Sequence, residues 1–420
     1  MKIKNTTTPI VILNCKLGAL GIARSLGGLG VPIYGVDADK RSPGMVSRYC
    51  GKKYYKDLDE QNPDEYLDLL LKIGNEIGKT SVLIWTSDET AVFVAENADR
   101  LSRHFVFPKN EHLTIKRLMH KKEMFLMARE LKVPTATTEF PQNLEEVTAY
   151  AERAAFPVML KGILGNRLQE RTGKKMVVVE SKEELIENYK QLEDPETPNL
   201  MLQEYIPGGD DQVYIFNGYF DAKSECLAAF TGHKIRQFPV HVGCASLGAC
   251  TWNQDVADLT IRFMKDVGYS GILDIGYRLD PRNGQYKVLD INPRIGQAFR
   301  LFLAENGMDV ARSLYLDLTG QEQYPVVPRE GRRWLIEDFD VISTFHYFQE
   351  GSLGFGEWVS SFKGVEEAAW FSLKDLRPFF MMLGGLVKRA FTWFGKRIGL
   401  VKSVRPVKQK EFEEADTKII

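Results

Sequence analysis

The stretch Val288-Leu-Asp-Ile-Asn-Pro-Arg294 follows a hairpin turn, Asp280-Pro-Arg-Asn-Gly284, and its reading decides the fold. Strand side chains alternate between faces, so Asp290, Asn292 and Arg294 point the same way. A carboxylate, a carboxamide oxygen and a guanidinium on one face form an oxygen-rich site with a cation beside it, suited to Mg²⁺ holding a polyphosphate. The bland alternative is a solvated strand face with a salt bridge. Val288, Leu289 and Ile291 mark a mostly buried strand, however, where three unpaired polar groups would be costly. A functional face is the better reading.

Two upstream segments extend it. Phe156-Pro-Val-Met-Leu-Lys161-Gly162 is an apolar strand ending in lysine and glycine, which can set an ammonium on phosphate oxygens. Met201-Leu-Gln-Glu-Tyr-Ile-Pro-Gly-Gly-Asp210-Asp211 is a strand running into an acidic turn. Such a hinge offers backbone groups to an adenine edge, and a carboxylate four residues on can reach ribose hydroxyls. Alone, each is an ordinary strand end.

The N-terminal region alternates strand, turn and helix, which predicts a parallel sheet with helices on its faces. Pro9–Asn14, Pro32–Val36 and Val82–Trp85 are the strands, and Asp37 and Thr86–Glu89 fall beyond their carboxyl ends, where ligands bind in such sheets. Gly18, Gly21 and Asp37 imitate a dinucleotide fingerprint, but Lys16 stands where its first glycine belongs. A Rossmann-like scaffold is favoured over a nicotinamide or flavin site. Ser87 and Asp88 precede an apolar-periodic segment and are expected to cap it. Farther on, Leu113–Leu131 and Ala257–Val267 read as helices, and His241–Gly248 as a glycine-containing loop.

In the order and spacing of these pieces the chain resembles the ATP-grasp superfamily, over roughly residues 112–318, and looks most like its carboxylate–amine ligase-type members. The resemblance implies an α/β fold, α+β in part: a Rossmann-like pre-ATP-grasp domain (1–111), a lid subdomain (112–198), a catalytic subdomain (199–324) and a C-terminal extension (325–420). His120-Lys121-Lys122 with Val133-Pro134 matches the family's Asp-Lys…Gly-Val-Pro, with histidine for aspartate and Lys132 for glycine. It implies Lys121 (Lys122 as fallback) and Lys161 on phosphate, and Gln203, Glu204, Tyr205 and Ile206 as the adenine hinge. Asp210 or Asp211 would be the ribose acid. Asp290, Asn292 and Arg294 match the family's Glu-x-Asn-x-Arg strand, and Mg²⁺, with Mn²⁺ as a substitute, would sit on Asp290 and Asn292.

Three departures stand out. The lid segment Gly162–Gly173 is long and charged, Asp290 replaces glutamate, and the first metal carboxylate falls by register at Gly276, which cannot ligate. Asp274 and Asp280 flank that position on the same face if no bulge intervenes, with Asp274 preferred. By resemblance the activity is ATP-dependent amide formation through an acylphosphate, with Arg294 stabilising the transferred phosphoryl group. Small-molecule carboxylate and amine substrates are implied, amino acids by default or an envelope precursor. Arg236 and Arg300 are candidate clamps for the acid, because guanidinium groups hold carboxylates bidentately. The alternative is a non-catalytic or regulatory nucleotide-binding relative, motivated by Gly276 and the altered lid.

The 420 residues carry 55 Lys plus Arg against 56 Asp plus Glu, a net charge of −1, so nucleic acid is not an expected partner. Five cysteines without Cys-x-x-Cys spacing argue against a disulfide or zinc framework. The apolar run near the N-terminus is shorter than the roughly 7–15 residues of a signal peptide, and no stretch reaches the ~20 of a spanning helix. A cytoplasmic protein is expected, and a homo-oligomer is compatible with the sequence. Leu376–Lys410 holds nine Lys or Arg and no acid. Within it, Phe380, Leu383, Val387, Phe391, Phe394 and Ile398 fall on one helical face, with Trp393 beside it. A basic amphipathic helix of this kind can lie at the inner face of a membrane; the alternative is packing on protein.

Overall fold

The computed structural model describes residues 3–59, 61–174, 176–194 and 196–397. Contacts divide the chain into a body, Met1–Pro378, and a second unit, Phe379–Ile420.

The body opens with β1 (Ile10–Leu13), β2 (Ile33–Val36), β3 (Cys50–Tyr54), β4 (Ser81–Trp85) and β5 (Phe105–Val106). They form an all-parallel sheet in the order β3-β2-β1-β4-β5. The continuous apolar runs Ile-Val-Ile-Leu and Ser-Val-Leu-Ile-Trp are wholly buried, as helices on both faces require. The chain order reverses between β1 and β4, so a crevice opens where Asn14 and Thr86 follow those strands.

A four-stranded antiparallel sheet follows, built from β6 (Thr138–Glu139), β7 (Val158–Gly162), β8 (Met176–Val179) and β9 (Leu200–Glu204) in the order β6-β9-β7-β8. The third sheet contains β10 (Val213–Phe220), β11 (Cys226–Phe238), β12 (Cys244–Cys250), β13 (Gly271–Asp280), β14 (Gln285–Asn292), β15 (Arg333–Leu335) and β16 (Val365–Ala368). Its order is β14-β13-β10-β11-β12-β15-β16, antiparallel except for the last pair.

The α/β architecture expected from the resemblance is present, with three differences of detail. β9 belongs to the small sheet rather than to the catalytic lobe. β15 and β16, expected in a C-terminal extension, complete the large sheet. β12 replaces much of the expected loop; its small residues Cys-Ala-Ser-Leu-Gly-Ala-Cys are almost entirely buried between β11 and β15.

The predicted helix Leu113–Leu131 is two, His112–Met119 and Lys121–Glu130. His120 turns extended (ψ 113°) and its ring Nδ1 accepts the Glu123 amide at 3.4 Å, which puts Lys121 at the first position of the second helix. Lys132, where the family has glycine, has φ +56°. An L side chain strains this conformation, and Lys132→Gly is expected to raise stability by up to about 1 kcal/mol, read from the urea midpoint. A lowered midpoint would show that the lysine side chain contributes more than its backbone costs.

The second unit contains most of helix Arg377–Arg397, with Phe380, Leu383, Val387 and Phe391 exposed. The Phe394 side chain and Ile398 onward lie outside the described residues. Among the described residues, no helix is long and apolar enough to cross a membrane.

Candidate active site

The site is laid out by the register of β13 against β14. Asp274 faces Asn292 and Gly276 faces Asp290, while a bulge at Leu289 shifts the pairing so that Tyr277 meets Val288. Facing residues of an antiparallel pair share one side of the sheet, so Asp274, Asp290 and Asn292 stand together. A Cβ on Gly276 would lie 2.6 Å from Asp290 Oδ1. The position whose side chain cannot ligate is therefore the space that Asp290 fills. Asn292 Nδ2 donates to Asp290 Oδ2 at 3.1 Å, and Arg294 Nη2 donates to Asn292 Oδ1 at 3.1 Å.

The Asp274 carboxylate makes no hydrogen bond or ion pair among the described residues. Burial first, and then the charge of Asp290, push its pKa up to about 6, against the pull of Arg294 and Lys234. Two neighbouring carboxylates with one left uncompensated, beside an amide oxygen, are a donor set that fits a hard divalent cation.

From the small sheet, Lys161 at the end of β7 donates to Gln203 Oε1 at 2.8 Å, and Gln203 Nε2 in turn donates to Thr138 Oγ1 at 2.9 Å. Burial, followed by repulsion from Lys121, depresses the Lys161 pKa to about 7, while Asp290 pulls it upward. Lys161 therefore lies within electrostatic reach of both Lys121 and Asp290. Gln203–Ile206 leaves β9 for the large sheet; Glu204 bonds the Thr137 amide and pairs with Lys287 and Arg282, and the Ile206 carbonyl accepts Arg278 Nε at 3.0 Å. Tyr205 is half-buried between these anchors.

Four expectations are corrected. Arg236 is not a substrate clamp. A bulge at Ile235 turns it to the opposite face from Lys234, where its Nε and Nη2 each donate to Asp340 at 2.8 Å and Nη1 donates to Ser361 at 2.6 Å. Arg300 is equally committed, bidentate to Glu367 at 2.9 and 2.7 Å and bonded to Asp309 at 2.6 Å. Asp280 lies six residues from Asp274, roughly 20 Å along a strand. There Arg282 and Lys287 hold its carboxyl well below the usual range, and it cannot share a metal with Asp290. Asp210 bonds His241 and the Tyr347 hydroxyl, so of the two ribose candidates only the exposed Asp211 is open.

The dinucleotide imitation is also explained by packing. Gly18 and Gly21 lie inside helix Leu17–Leu26, and a Cβ at Gly21 would sit 2.5 Å from the Phe299 ring and 2.8 Å from Arg300 Cγ. Asp37 accepts the Cys15 and Asp39 amides at 2.6 and 2.8 Å, which occupies both its oxygens. The two glycines thus let this helix pack closely on the segment after Arg294.

No protein-family model matches the chain. A D-aspartate ligase of Enterococcus faecium is 23% identical over 316 residues, 72% of this chain and 74% of that protein. An L-amino acid ligase from Bacillus licheniformis shares the fold with a TM-score of 0.58 at 13% identity, covering 79% of each chain. The biotin carboxylase domain of 2-oxoglutarate carboxylase from Hydrogenobacter thermophilus, solved with MgADP and bicarbonate, superposes with a TM-score of 0.58 at 16% identity, over 78% of this chain and 74% of that one. The chain has an ATP-grasp fold.

Three residues at this site, Asp88, Trp85 and Lys234, were given no contact with the site strand or its face by the sequence. Asp88, the first residue of helix Asp88–Glu96, pairs with Arg294 Nε, although Ser87 caps that helix as expected by accepting the Thr90 amide at 3.3 Å. Trp85 Nε1 also donates to the Pro293 carbonyl at 3.1 Å, so the first sheet grips the site strand at two points. Lys234 stays on the face of Asp274 and donates to the Gly243 carbonyl at 2.7 Å. Lys234 stood two residues from Arg236 in sequence, and only the bulge between them separates their faces.

Proposed function

We propose that this ATP-grasp chain is an ATP-dependent carboxylate–amine ligase that activates an acid, such as an amino acid, as an acylphosphate. The observation that carries the proposal is the convergence of Asp274, Asp290, Asn292 and Arg294 from two adjacent strands, with Lys161 of the small sheet feeling the charges of Asp290 and Lys121. The D-aspartate ligase relative and the L-amino acid ligase neighbour point to an amino acid as substrate. Asp274 beside Asn292 supplies a second carboxylate despite Gly276, and this favours turnover over a purely regulatory role.

Phosphoryl transfer demands positioning and charge neutralisation more than covalent chemistry. Mg²⁺, when held by Asp290, Asn292 and Asp274, would neutralise phosphate charge. Lys161 from the small sheet and Lys121 from the helix start would hold phosphate oxygens, and the Gln203–Ile206 hinge would hold the base, with Asp211 at the ribose. A substrate carboxylate oxygen attacks the γ-phosphorus as the bond to the ADP oxygen breaks. The amine lone pair then attacks the acyl carbon, phosphate leaves with the bonding pair, and the amine nitrogen releases a proton. Arg294, oriented by Asp88, would stabilise the charge gathering on the phosphoryl group, and Lys234 would hold the acid. ATP consumption suits a cytoplasmic site.

The experiment is Mg²⁺-dependent ADP release from ATP, with D-aspartate and pools of other carboxylates, each with and without amine pools. Release that needs one acid and one amine, and disappears in Lys161→Ala, supports the ligase. MgATP binding without release in any combination would return the regulatory reading, and no binding of MgATP would remove both.

Lys161 also sets a pH dependence. Its pKa of about 7 in the free site must rise once phosphate oxygens surround it. A group whose pKa rises on binding gives full affinity below the free value and loses it above. The MgATP Kd is therefore expected to increase up to about tenfold per pH unit above 7, with uptake of up to one proton per ATP. Calorimetry in buffers of different ionisation enthalpy reads the proton directly, and Lys161→Arg should abolish the uptake. Binding without uptake at pH 8 would mean that Lys161 does not meet the phosphates.

A further inference from the structure

We propose that helix Arg377–Arg397 is an interfacial anchor whose exposed apolar stripe lies on an anionic lipid bilayer. Phe380, Leu383, Val387 and Phe391 are 61%, 42%, 47% and 73% exposed. At 100° per residue they fall within about 60° of one line along the helix. Beside that line Met382 is buried, and Phe379 and Leu386 are half-buried.

Charge identifies the occupant. The whole chain has a net charge of −1, yet Leu376–Lys410 contains Arg377, Lys388, Arg389, Lys396, Arg397, Lys402, Arg405, Lys408 and Lys410 with no Asp or Glu. Concentrated cations beside an aromatic and aliphatic stripe match the negative potential and the acyl boundary of an anionic membrane surface. A second copy meeting through the same face would bring this cationic segment against itself, since a two-fold contact pairs like with like. No described helix can cross a bilayer, so the helix would lie in the interface rather than span it.

The test is co-sedimentation of the full chain with vesicles of phosphatidylcholine alone or with 30% phosphatidylglycerol, at low and high salt. Binding at least tenfold tighter to the anionic vesicles, and weakened at high salt, is expected. Val387→Ser with Phe391→Ser should reduce it at least tenfold, and Lys388→Gln with Arg389→Gln should reduce both binding and its salt dependence. Val341→Ser, at an exposed apolar position elsewhere, should not change it. Thermal melts of the body identify any variant that has lost its fold. No vesicle binding by the folded wild-type chain, binding indifferent to lipid charge, or a dimer abolished by Phe391→Ser would each overturn the proposal.

Discussion

Asp290→Asn is expected to lower Mg²⁺-dependent ATP turnover by at least about a thousandfold while leaving the melting temperature unchanged or slightly raised. The loss follows from the donor set. Asp290 lies opposite Gly276, filling the space that a side chain there would take, and beside Asn292 and the uncompensated Asp274. Asparagine keeps the shape and removes one of two anionic donors, and a metal clamp on a transferring phosphoryl group supplies several kcal/mol. The neutral stability effect has a separate cause. Asp290 raises the Asp274 pKa because two like charges share the site; removing one relieves that repulsion and leaves no buried cation unpaired. ADP release and a thermal melt on the same preparation check both halves. Turnover within tenfold of wild type would remove Asp290 from the metal set, and a large fall in melting temperature would make it a structural residue.

Arg236→Ala is expected to behave in the opposite way, costing ~3–5 kcal/mol of stability without raising the KM for the acid substrate. Arg236 and Asp340 are 2% and 3% exposed, joined by two 2.8 Å hydrogen bonds, with Ser361 and Ser246 completing the cluster. Truncating the arginine leaves the Asp340 charge buried and uncompensated, and this penalty dominates when one partner of a buried pair is lost. Arg236→Met with Asp340→Leu should recover most of the loss, because the desolvation cost of both charges is then removed. Urea unfolding at unchanged m-value reads the stability, and steady-state kinetics on the folded variant reads KM. A raised KM with an unchanged urea midpoint would restore Arg236 as a substrate clamp.

These two residues mark the limit of what the linear sequence can tell. Asp290, Asn292 and Arg294 were legible together because the two-residue alternation of a strand is a local property that needs no partner. The same holds for the apolar runs of β1 and β4, for Ser87 as a cap, and for Lys161 at the end of β7. Arg236 and Arg300 were misassigned for a common reason. An arginine that clamps a substrate and an arginine that neutralises Asp340 or Glu367 look identical until the partner, here 67 to 104 residues away, is brought beside it. Asp88 was hidden by the same non-locality, 206 residues from Arg294.

Bulges supplied the rest of the difference. One extra residue at Leu289 sets which side chains of β14 meet Asp274 and Gly276, and one at Ile235 sends Lys234 and Arg236 to opposite faces. A bulge is selected by the fit of whole strands to their neighbours and leaves no dependable mark in composition. Likewise β12, β15 and β16 are short or built from small residues, and they become strands because the edge of a large sheet offers them partners. By itself the sequence determined the layered α/β plan and the chemistry of the site strand, since both rest on short-range periodicity. Only the tertiary structure decided which charges face the site and which are spent on one another, because that depends on register and burial between segments far apart in the chain.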